Sequence, residues 1–190
     1  MTQILKEEIY DRIFNAGLNI FYEKDFRSTK MKEIADQAGI SVGLVYSYFK
    51  NKEQLFDAIV SSVYISFEKM LKEEEAHSIG LPSEKYENIS KNYILELIEN
   101  HKILVILMDK SKGTKHENAK DSLIKMLENH IRVGLSQFSA HQYDDMLIHI
   151  LASNFTESIL EIARHYKNKN FAKEMLTLVT KCYYKGVDSL

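Results

Sequence analysis

The residues whose types and spacing best indicate a function lie between positions 31 and 48. Ala35, Gly39 and Val45 have the spacing of two short helices joined by a tight turn. Ala35 is small enough for the second helix to cross closely, and Gly39 permits the positive φ of such a turn. Val45, together with Ile34, would fill the core between the helices. The pattern predicts a helix-turn-helix, whose second helix presents its N-terminal, outward residues to the major groove of DNA.

The distribution of charge agrees with a DNA-facing edge in this region. The whole chain carries a formal net charge of −2, which excludes a general basic coat for nucleic acid. Between positions 26 and 52, however, five basic side chains stand against two acidic ones. A local positive charge favours contact with DNA phosphates. The basic residues are Arg27, Lys30, Lys32, Lys50 and Lys52.

An all-α fold is predicted by the spacing of hydrophobic residues, which is helical almost throughout the 190 residues. One proline and seven glycines are too few for the many turns of a sandwich or barrel. A hydrophobic content of 45% excludes disorder as the default state. The single cysteine excludes an internal disulfide and suits a reducing compartment. Because the longest aliphatic run, 103–108, is too short to span a bilayer, we expect a cytoplasmic protein.

About nine helices are expected, and polar residues mark several of their starts. The first six helices are predicted at about 2–22, 30–38, 42–49, 52–75, 86–98 and 103–108. The seventh would run from the capping box at Thr114 to about 138, the eighth from the box at Ser139 through 162, and the ninth would cover 171–187. The residues expected to cap them are Ser28 or Thr29 for the second helix, Ser41 for the third, Asn51 for the fourth, and the capping-box pairs Thr114–Glu117 and Ser139–Gln142 for the seventh and eighth.

Several short segments around the helix-turn-helix form a more specific pattern. They are Ile34-Ala35, Ala38-Gly39-Ile40-Ser41, Gly43, Tyr46, Tyr48-Phe49 and Lys52-Glu53 with Leu55. With the first helix before them, they make a stretch from 9 to 60 that resembles the DNA-binding region of TetR/AcrR-family transcriptional regulators. One departure is Asp25, where such proteins usually have glycine.

The resemblance implies an all-α homodimer with two parts in each chain. Residues 1–50 would form a three-helix DNA-binding domain, and residues 51–190 a helical bundle for ligand binding and dimerisation. The implied function is that of a non-enzymatic repressor, released from a palindromic operator by a small apolar or amphipathic effector. No cofactor, metal or membrane is implied, and repression rather than activation follows the habit of the family.

The resemblance also assigns ten residues to DNA contact. Val42, Gly43 and Leu44 would open the recognition helix nearest the bases. Because they offer only apolar groups and backbone, they favour contact with thymine methyl groups and DNA shape over bidentate hydrogen bonds. The residues expected at phosphates are Thr29, Lys30, Ser41, Tyr46, Ser47, Tyr48 and Lys52.

Aromatic and methionine side chains are frequent in the middle of the chain, and such side chains adapt to varied apolar ligands. For each residue taken singly, core packing is the simpler explanation. A ligand wedged against the fourth helix would tilt it and so move the DNA-binding domain. The candidates for a ligand cavity are Tyr64, Phe67, Met70, Tyr93, Met108, Met126, His130 and Phe155.

Apolar stripes on the eighth and ninth helices are the candidate dimer interface, because the family pairs these two helices with their copies. Packing within one chain is the alternative for half of these residues. The candidates are Leu151, Phe155, Ile159, Met175, Val179, Cys182, Tyr183 and Gly186.

Three alternatives to these assignments remain open. His141, Asp145 and His149 have the spacing of metal ligands on one helix face, although acids near a helix start are common for electrostatic reasons. An enzyme is disfavoured because G-x-S-x-G, Walker and H-E-x-x-H motifs are missing from the sequence. A helical adaptor that has lost DNA binding would share the same pattern.

Overall fold

The structure is a computed structural model that describes residues 3–76, 80–138 and 141–190. No strand occurs among these residues, and the predicted all-α fold is confirmed. Helix α5 combines Pro82–Lys85, a π-helical turn at Tyr86–Ser90, and Lys91–Glu99. Over the described ranges the helices are α1 (Gln3–Glu23), α2 (Met31–Ala38), α3 (Val42–Tyr48), α4 (Lys52–Ala76), α5 (82–99), α6 (His101–Asp109), α7 (Ala119–Phe138), α8 (Asp145–Arg164) and α9 (Lys169–Val187).

Helices α1, α2 and α3 pack around a small core of their own. Ile13, Ile34 and Val45 are fully buried in it, and Ala35 is buried beside them. Helix α2 ends at Gly39, whose φ of 66° and ψ of 37° are left-handed, as the tight turn requires. The core therefore fixes one side of α3 against α2 and leaves the other side outward.

The carboxyl end of α2 is capped by a side chain from α1. The Arg12 guanidinium donates to the Ala38 carbonyl through Nε at 3.0 Å and through Nη2 at 2.5 Å. Nη2 also donates to the Gly39 carbonyl at 3.0 Å. A cation is favourable at a helix carboxyl end, where several carbonyls have no partner within the helix. Arg12 thus holds the turn between α2 and α3 to the first helix.

The loop between α1 and α2 is organised by Asp25. Its carboxylate accepts hydrogen bonds from the backbone N–H and the hydroxyl of Ser28, both at 2.7 Å, and these bonds lower the pKa of Asp25. Thr29 donates its hydroxyl to the Asp25 carbonyl at 2.6 Å. The prediction that Ser28 or Thr29 caps α2 is therefore wrong. The N-cap is Lys30, because both hydroxyls are engaged inside the loop.

The caps predicted for the third and fourth helices are confirmed. The Ser41 hydroxyl accepts from the Leu44 backbone N–H at 3.3 Å. The Asn51 side-chain oxygen accepts from the Gln54 backbone N–H at 2.8 Å. Each bond satisfies an N–H group that has no partner within its own helix.

The two capping boxes predicted later in the chain did not identify the starts of α7 and α8. The buried Thr114 hydroxyl donates to the Ser111 carbonyl at 2.7 Å, so this segment is a turn that precedes α7. Ser139 of the second box lies outside the described residues. Helix α8 is capped instead by Asp144, whose side chain accepts from the Met146 backbone N–H at 2.8 Å.

Helix α4 links the amino-terminal unit to a bundle of α5–α9. Near its start the Phe56 ring meets the Phe21 ring of α1 edge-on, with the ring centres 5.1 Å apart. Further along, Met70 and Leu71 are buried in the bundle. One cluster of buried hydrophobic residues runs through both parts of the molecule. A change at the bundle end of α4 is thus mechanically connected to the amino-terminal unit.

Helix α8 lies in the middle of the bundle and contacts α5, α6, α7 and α9. Within the described part of the chain it is the one helix whose length and apolar composition would suit a membrane span. Its Ala152, Leu160 and Ala163 side chains are buried in the core. Packing among the neighbouring helices accounts for the apolar character of this side of the helix.

Candidate functional site

The outward side of α3 is open to solvent, whereas its inward side is buried. Val42 and Tyr46 are 41% and 49% exposed, and Val45 between them is fully buried. A Cβ placed on Gly43 would meet no atom within 4 Å outside the neighbouring backbone. The helix therefore offers an exposed and partly apolar edge that another surface is able to approach closely.

Polar groups frame this edge of α3. The exposed Ser47 hydroxyl donates to the Leu44 carbonyl at 2.7 Å, and Lys30 is exposed at the start of α2. Eight of the ten residues predicted to contact DNA are at least partly exposed in or beside α2 and α3. They are Lys30, Ser41, Val42, Gly43, Leu44, Tyr46, Ser47 and Tyr48.

Thr29 and Lys52, also predicted to contact phosphates, are engaged with the loop that precedes α2. Thr29 is only 2% exposed. The Lys52 ammonium donates to the carbonyls of Phe26 at 2.5 Å and Thr29 at 2.8 Å, and it lies 4.3 Å from the centre of the Phe26 ring. Burial lowers the pKa of Lys52. Both side chains therefore help to hold the loop before α2, and their phosphate contacts stay a prediction.

Two adjoining cavities lie inside the helical bundle. The first, of about 50 Å³, lies between α4, α5, α6, α7 and α8 and has almost entirely apolar walls; it is called the apolar cavity. The second, of about 80 Å³, lies between α4, α5, α7, α8 and α9 and is called the mixed cavity. Met70, Ile94, Leu127 and Phe155 line both cavities, so that a ligand entering one borders the other.

Three polar side chains meet in the wall of the mixed cavity. Glu74 of α4 is only 6% exposed, and one of its carboxylate oxygens accepts a hydrogen bond from the Ser90 hydroxyl. The other oxygen lies 2.6 Å from Nε2 of His130 on α7. Sequence reasoning missed Glu74, which stands in the run 73–75 of three glutamates and resembles part of a solvated helix face.

Five of the eight residues predicted to bind a ligand line these cavities: Phe67, Met70, Met108, His130 and Phe155. The Tyr64 hydroxyl lies instead 3.1 Å from Nδ1 of His116, whose Nε2 is 2.8 Å from an Asp57 carboxylate oxygen. Tyr93 donates its hydroxyl to Glu73 at 2.7 Å, which raises the pKa of Tyr93. Met126 is partly buried against the hydrophobic core. Tyr64, Tyr93 and Met126 are therefore not among the residues that line either cavity.

Comparison with known proteins places the helix-turn-helix in a family. Residues 13–59 match the family of bacterial regulatory proteins, tetR family. The segment 13–59 therefore has the sequence of the DNA-binding region of this family. A relative is the uncharacterized HTH-type transcriptional regulator YhgD of Bacillus subtilis (strain 168), which is 30% identical over 95 residues, or 49% of this chain and 48% of YhgD. The chain spans about half the length of the curated relatives it matches.

Solved structures of transcriptional regulators share the all-α fold of this chain over nearly its whole length. A TetR-like transcriptional regulator from Rhodococcus sp. RHA1 has a TM-score of 0.65 at 19% identity and covers 94% of each chain. The transcriptional regulator FadR from Bacillus subtilis, solved in complex with stearoyl-CoA, has a TM-score of 0.60 at 18% identity, covering 93% of this chain and 98% of FadR. At these identities the similarity establishes the fold.

The residues predicted for dimerisation divide into two groups. Phe155 and Ile159 are buried and line the apolar cavity, and Tyr183 lines the mixed cavity, so these three pack within one chain. The other five, at least partly exposed, are Leu151, Met175, Val179, Cys182 and Gly186. Exposed apolar residues that the sequence reasoning missed on α8 and α9 are Met146, Ile150 and Leu178.

The metal-ligand pattern considered for α8 is not assembled among the described residues. His141 precedes the helix, which begins at Asp145. An Asp145 carboxylate oxygen lies 2.6 Å from the Arg132 guanidinium, and His149 Nδ1 lies 2.6 Å from a Glu128 carboxylate oxygen. Among the residues that the structure describes, no group of three or more His, Cys, Asp or Glu side chains is placed to share a metal.

Proposed function

We propose that this TetR-family chain is a DNA-binding transcriptional regulator that acts as a dimer, and that it is a repressor released by a small apolar or amphipathic effector. The observation that carries the proposal is the exposed edge of α3, formed by Val42, Gly43 and Tyr46 within the segment that matches the family. A regulator of this kind acts in the cytoplasm. The relatives named above support the regulatory role.

The chemistry of the α3 edge determines how DNA would be read. Val42 and Leu44 have no hydrogen-bonding side chain, and Gly43 lets the backbone come close to the bases. We therefore expect base readout through thymine methyl groups and DNA shape. The Lys30 ammonium and the Tyr46 hydroxyl would bind phosphates, which set the position of the domain on the duplex without reading its sequence.

Dimerisation would present two copies of α3 to the same face of DNA. Proteins with this motif bind two half-sites about one helical turn apart, ~34–36 Å. The exposed outer sides of α8 and α9 are the surfaces through which we propose that two copies pair. A two-fold dimer requires an operator with matching two-fold symmetry, so the operator is expected to be a palindrome.

The two cavities support an effector with an apolar body. They border α4, which also carries Phe56 into the core of the amino-terminal unit. A ligand that separates the bundle end of α4 from its neighbours would change the distance between the two α3 helices. An effector that prefers the DNA-free state about 100-fold supplies ~2.7 kcal/mol of bias toward release.

Sequencing of DNA fragments selected by the purified protein tests the proposal directly. We expect enriched fragments to share a palindrome whose half-sites are about one helical turn apart. Fragments without a common sequence would contradict the proposal of a sequence-specific regulator. A single unrepeated half-site would contradict the proposal of a dimer.

A substitution at Gly43 tests whether α3 is the surface that enters the groove. The Gly43→Glu carboxylate has room in the protein but would face phosphates, so operator affinity should fall at least about tenfold. The control is Ser136→Glu, which adds the same charge at an exposed position on α7. Equal affinity of the two variants for the selected operator would remove α3 from the interface.

A further inference from the structure

We propose that the mixed cavity takes an organic cation: a ligand with a protonated amine held by the Glu74 carboxylate and an apolar body that continues into the apolar cavity. This inference rests on the proposed effector role of the same cavities. It adds the chemical class of the ligand and the residue that selects it.

The Glu74 carboxylate is the buried acidic group of this cavity. Removing a carboxylate from water is costly unless hydrogen bonds or an opposite charge compensate it. Here Ser90 and His130 each contact one carboxylate oxygen. An ionised carboxylate has about four acceptor positions, so two contacts leave capacity for an ammonium group. A cation therefore gains more at this position than a neutral or anionic head group.

The position of Ser90 depends on an irregular part of α5. Ser90 is the last residue of the π-helical turn Tyr86–Ser90 and is buried against Glu74. A π-turn changes which side chains of a helix face its neighbours, and such turns are frequent at functional sites. The turn thus directs a hydroxyl to the carboxylate, which lies on the cavity wall.

Aromatic rings provide a second attraction for a cation in the same cavity. Phe155, Tyr183 and Tyr184 line it, with ring centres 4.9 Å apart for the first pair and 5.1 Å for the two tyrosines. Burial raises the pKa of both tyrosines above the ordinary value, so their hydroxyls remain neutral. Neutral aromatic faces attract ammonium groups, and more strongly where water is excluded.

The other charged groups that line the mixed cavity lie on α4, α5 and α7. Glu75 is exposed and adds negative charge. Lys85 is half-buried and donates to the Gln137 side-chain oxygen at 3.1 Å, so its ammonium has a partner. Lys85 is the one lysine among the described lining residues, and Nε2 of His130 lies 2.6 Å from a Glu74 carboxylate oxygen. An anionic head group would have to compete with these contacts beside a buried carboxylate.

The body of the ligand would extend through the residues that the two cavities share. Beyond Met70 and Phe155 the walls become almost entirely apolar and include Phe67 and Met108. Methionine and aromatic side chains accommodate alkyl chains of varied shape. In an amine with a linear alkyl chain, the ammonium group would therefore lie in the mixed cavity and the alkyl chain in the apolar cavity.

Isothermal titration calorimetry with decylammonium, decanol and decanoate compares three head groups on one chain length. Wild-type protein should bind decylammonium at least about tenfold more tightly than decanoate, with decanol between them. Glu74→Gln should reduce the preference for the amine at least about tenfold. Glu74→Asp keeps the charge and should restore the preference. The matched control is Glu68→Gln, which removes an exposed carboxylate of α4 that lines neither cavity and should leave the preference unchanged.

The inference is overturned if wild-type protein binds decanoate as tightly as decylammonium, if no probe binds, or if Glu74→Gln keeps the wild-type preference. The wild-type comparison decides the question even where Glu74→Gln fails to fold. A gel shift with the selected operator, made without probe, separates this result from the proposed function. Loss of operator binding with an intact amine preference rejects the regulator alone, and the reverse outcome rejects the cation site alone.

Discussion

At the scale of single residues, His101 shows how burial makes stability depend on pH. Its ring stacks on Tyr166, with centres 4.3 Å apart and planes within 14°, and its edge faces Tyr22. Burial is the largest effect and lowers the pKa of His101 from 6.5; the Glu99 carbonyl opposes this shift, and the charge of Lys102 adds to it. The unfolded chain takes up the proton at higher pH than the folded chain. Stability is therefore lost as the pH falls through about 6.5 toward the folded pKa.

We expect the urea midpoint of the wild-type protein to be lower at about pH 5.5 than at about pH 7.5, with His101 contributing to the difference. His101→Phe keeps an aromatic ring against Tyr166 and removes the titration. The variant should lose less stability over the same interval, measured by circular dichroism in urea. Because other histidines are common to both proteins, parallel pH profiles would show that His101 contributes nothing.

The structural roles of some residues could be predicted from the sequence, and those of others could not. Gly39, Val45 and Ser41 were predictable because each role depends on a few neighbouring residues. Glu74 and Lys52 were not, because their partners lie on other elements: Glu74 meets Ser90 and His130, and Lys52 reaches the loop before α2. A charged residue in a helix looks solvated in the sequence unless its distant partners are known.

At the scale of elements, the start of α4 determines how firmly the loop before α2 is held. The Lys52 ammonium donates to three carbonyls of that loop and lies over the Phe26 ring. Hydrogen bonds from a charged donor contribute more than neutral ones, so their loss should loosen the loop. Lys30, in contrast, is exposed at the N-cap of α2 and has no side-chain hydrogen bond in that cap. The two lysines are expected to affect DNA binding differently.

We expect Lys52→Met to weaken operator binding while leaving the dependence of log affinity on log salt unchanged. Lys30→Ala should reduce that slope by about one, because it removes a phosphate contact. Fluorescence anisotropy with the selected operator at several salt concentrations measures both quantities. If Lys52→Met also reduced the slope by about one, Lys52 would contact a DNA phosphate directly.

The helices could be predicted from the sequence because hydrophobic periodicity is local information. The capping box Thr114–Glu117 was misinterpreted because the segment 110–118 docks on the loop before α2 and on α4. The Phe26 backbone N–H donates to the Lys110 carbonyl at 3.0 Å, and His116 and Lys115 both contact Asp57. These tertiary contacts bury Thr114 in a turn, although its spacing to Glu117 is that of a helix start. Local patterns therefore predicted the elements better than the segments that join them.

At the scale of the whole molecule, the outer sides of α8 and α9 remain apolar after the chain has packed. Leu178 is 52% exposed, and Met146 and Ile150 are exposed as well. The free thiol of Cys182 is exposed on the same helix as Leu178. The sequence could not separate these residues from Phe155 and Ile159, because a helix in the middle of a bundle is apolar on several sides. Pairing through a two-fold axis would bury each exposed residue twice, once in each copy.

A charge placed on this surface should separate the copies. Leu178→Glu would place two carboxylates in the dimer interface, one from each copy. Because a buried unpaired charge is costly, the dissociation constant of the dimer should rise at least about thirtyfold. The matched control is Ile65→Glu on α4, where the wild-type side chain is 66% exposed and belongs to neither α8 nor α9. Sedimentation equilibrium should show a dimer for wild type and for the control, and monomer for Leu178→Glu at the same concentration. A monomer contacts only one half-site of the palindrome, whereas a dimer contacts both. The affinity of Leu178→Glu for the operator should therefore fall as well. A monomeric control beside a dimeric Leu178→Glu would move the interface from α8 and α9 to α4.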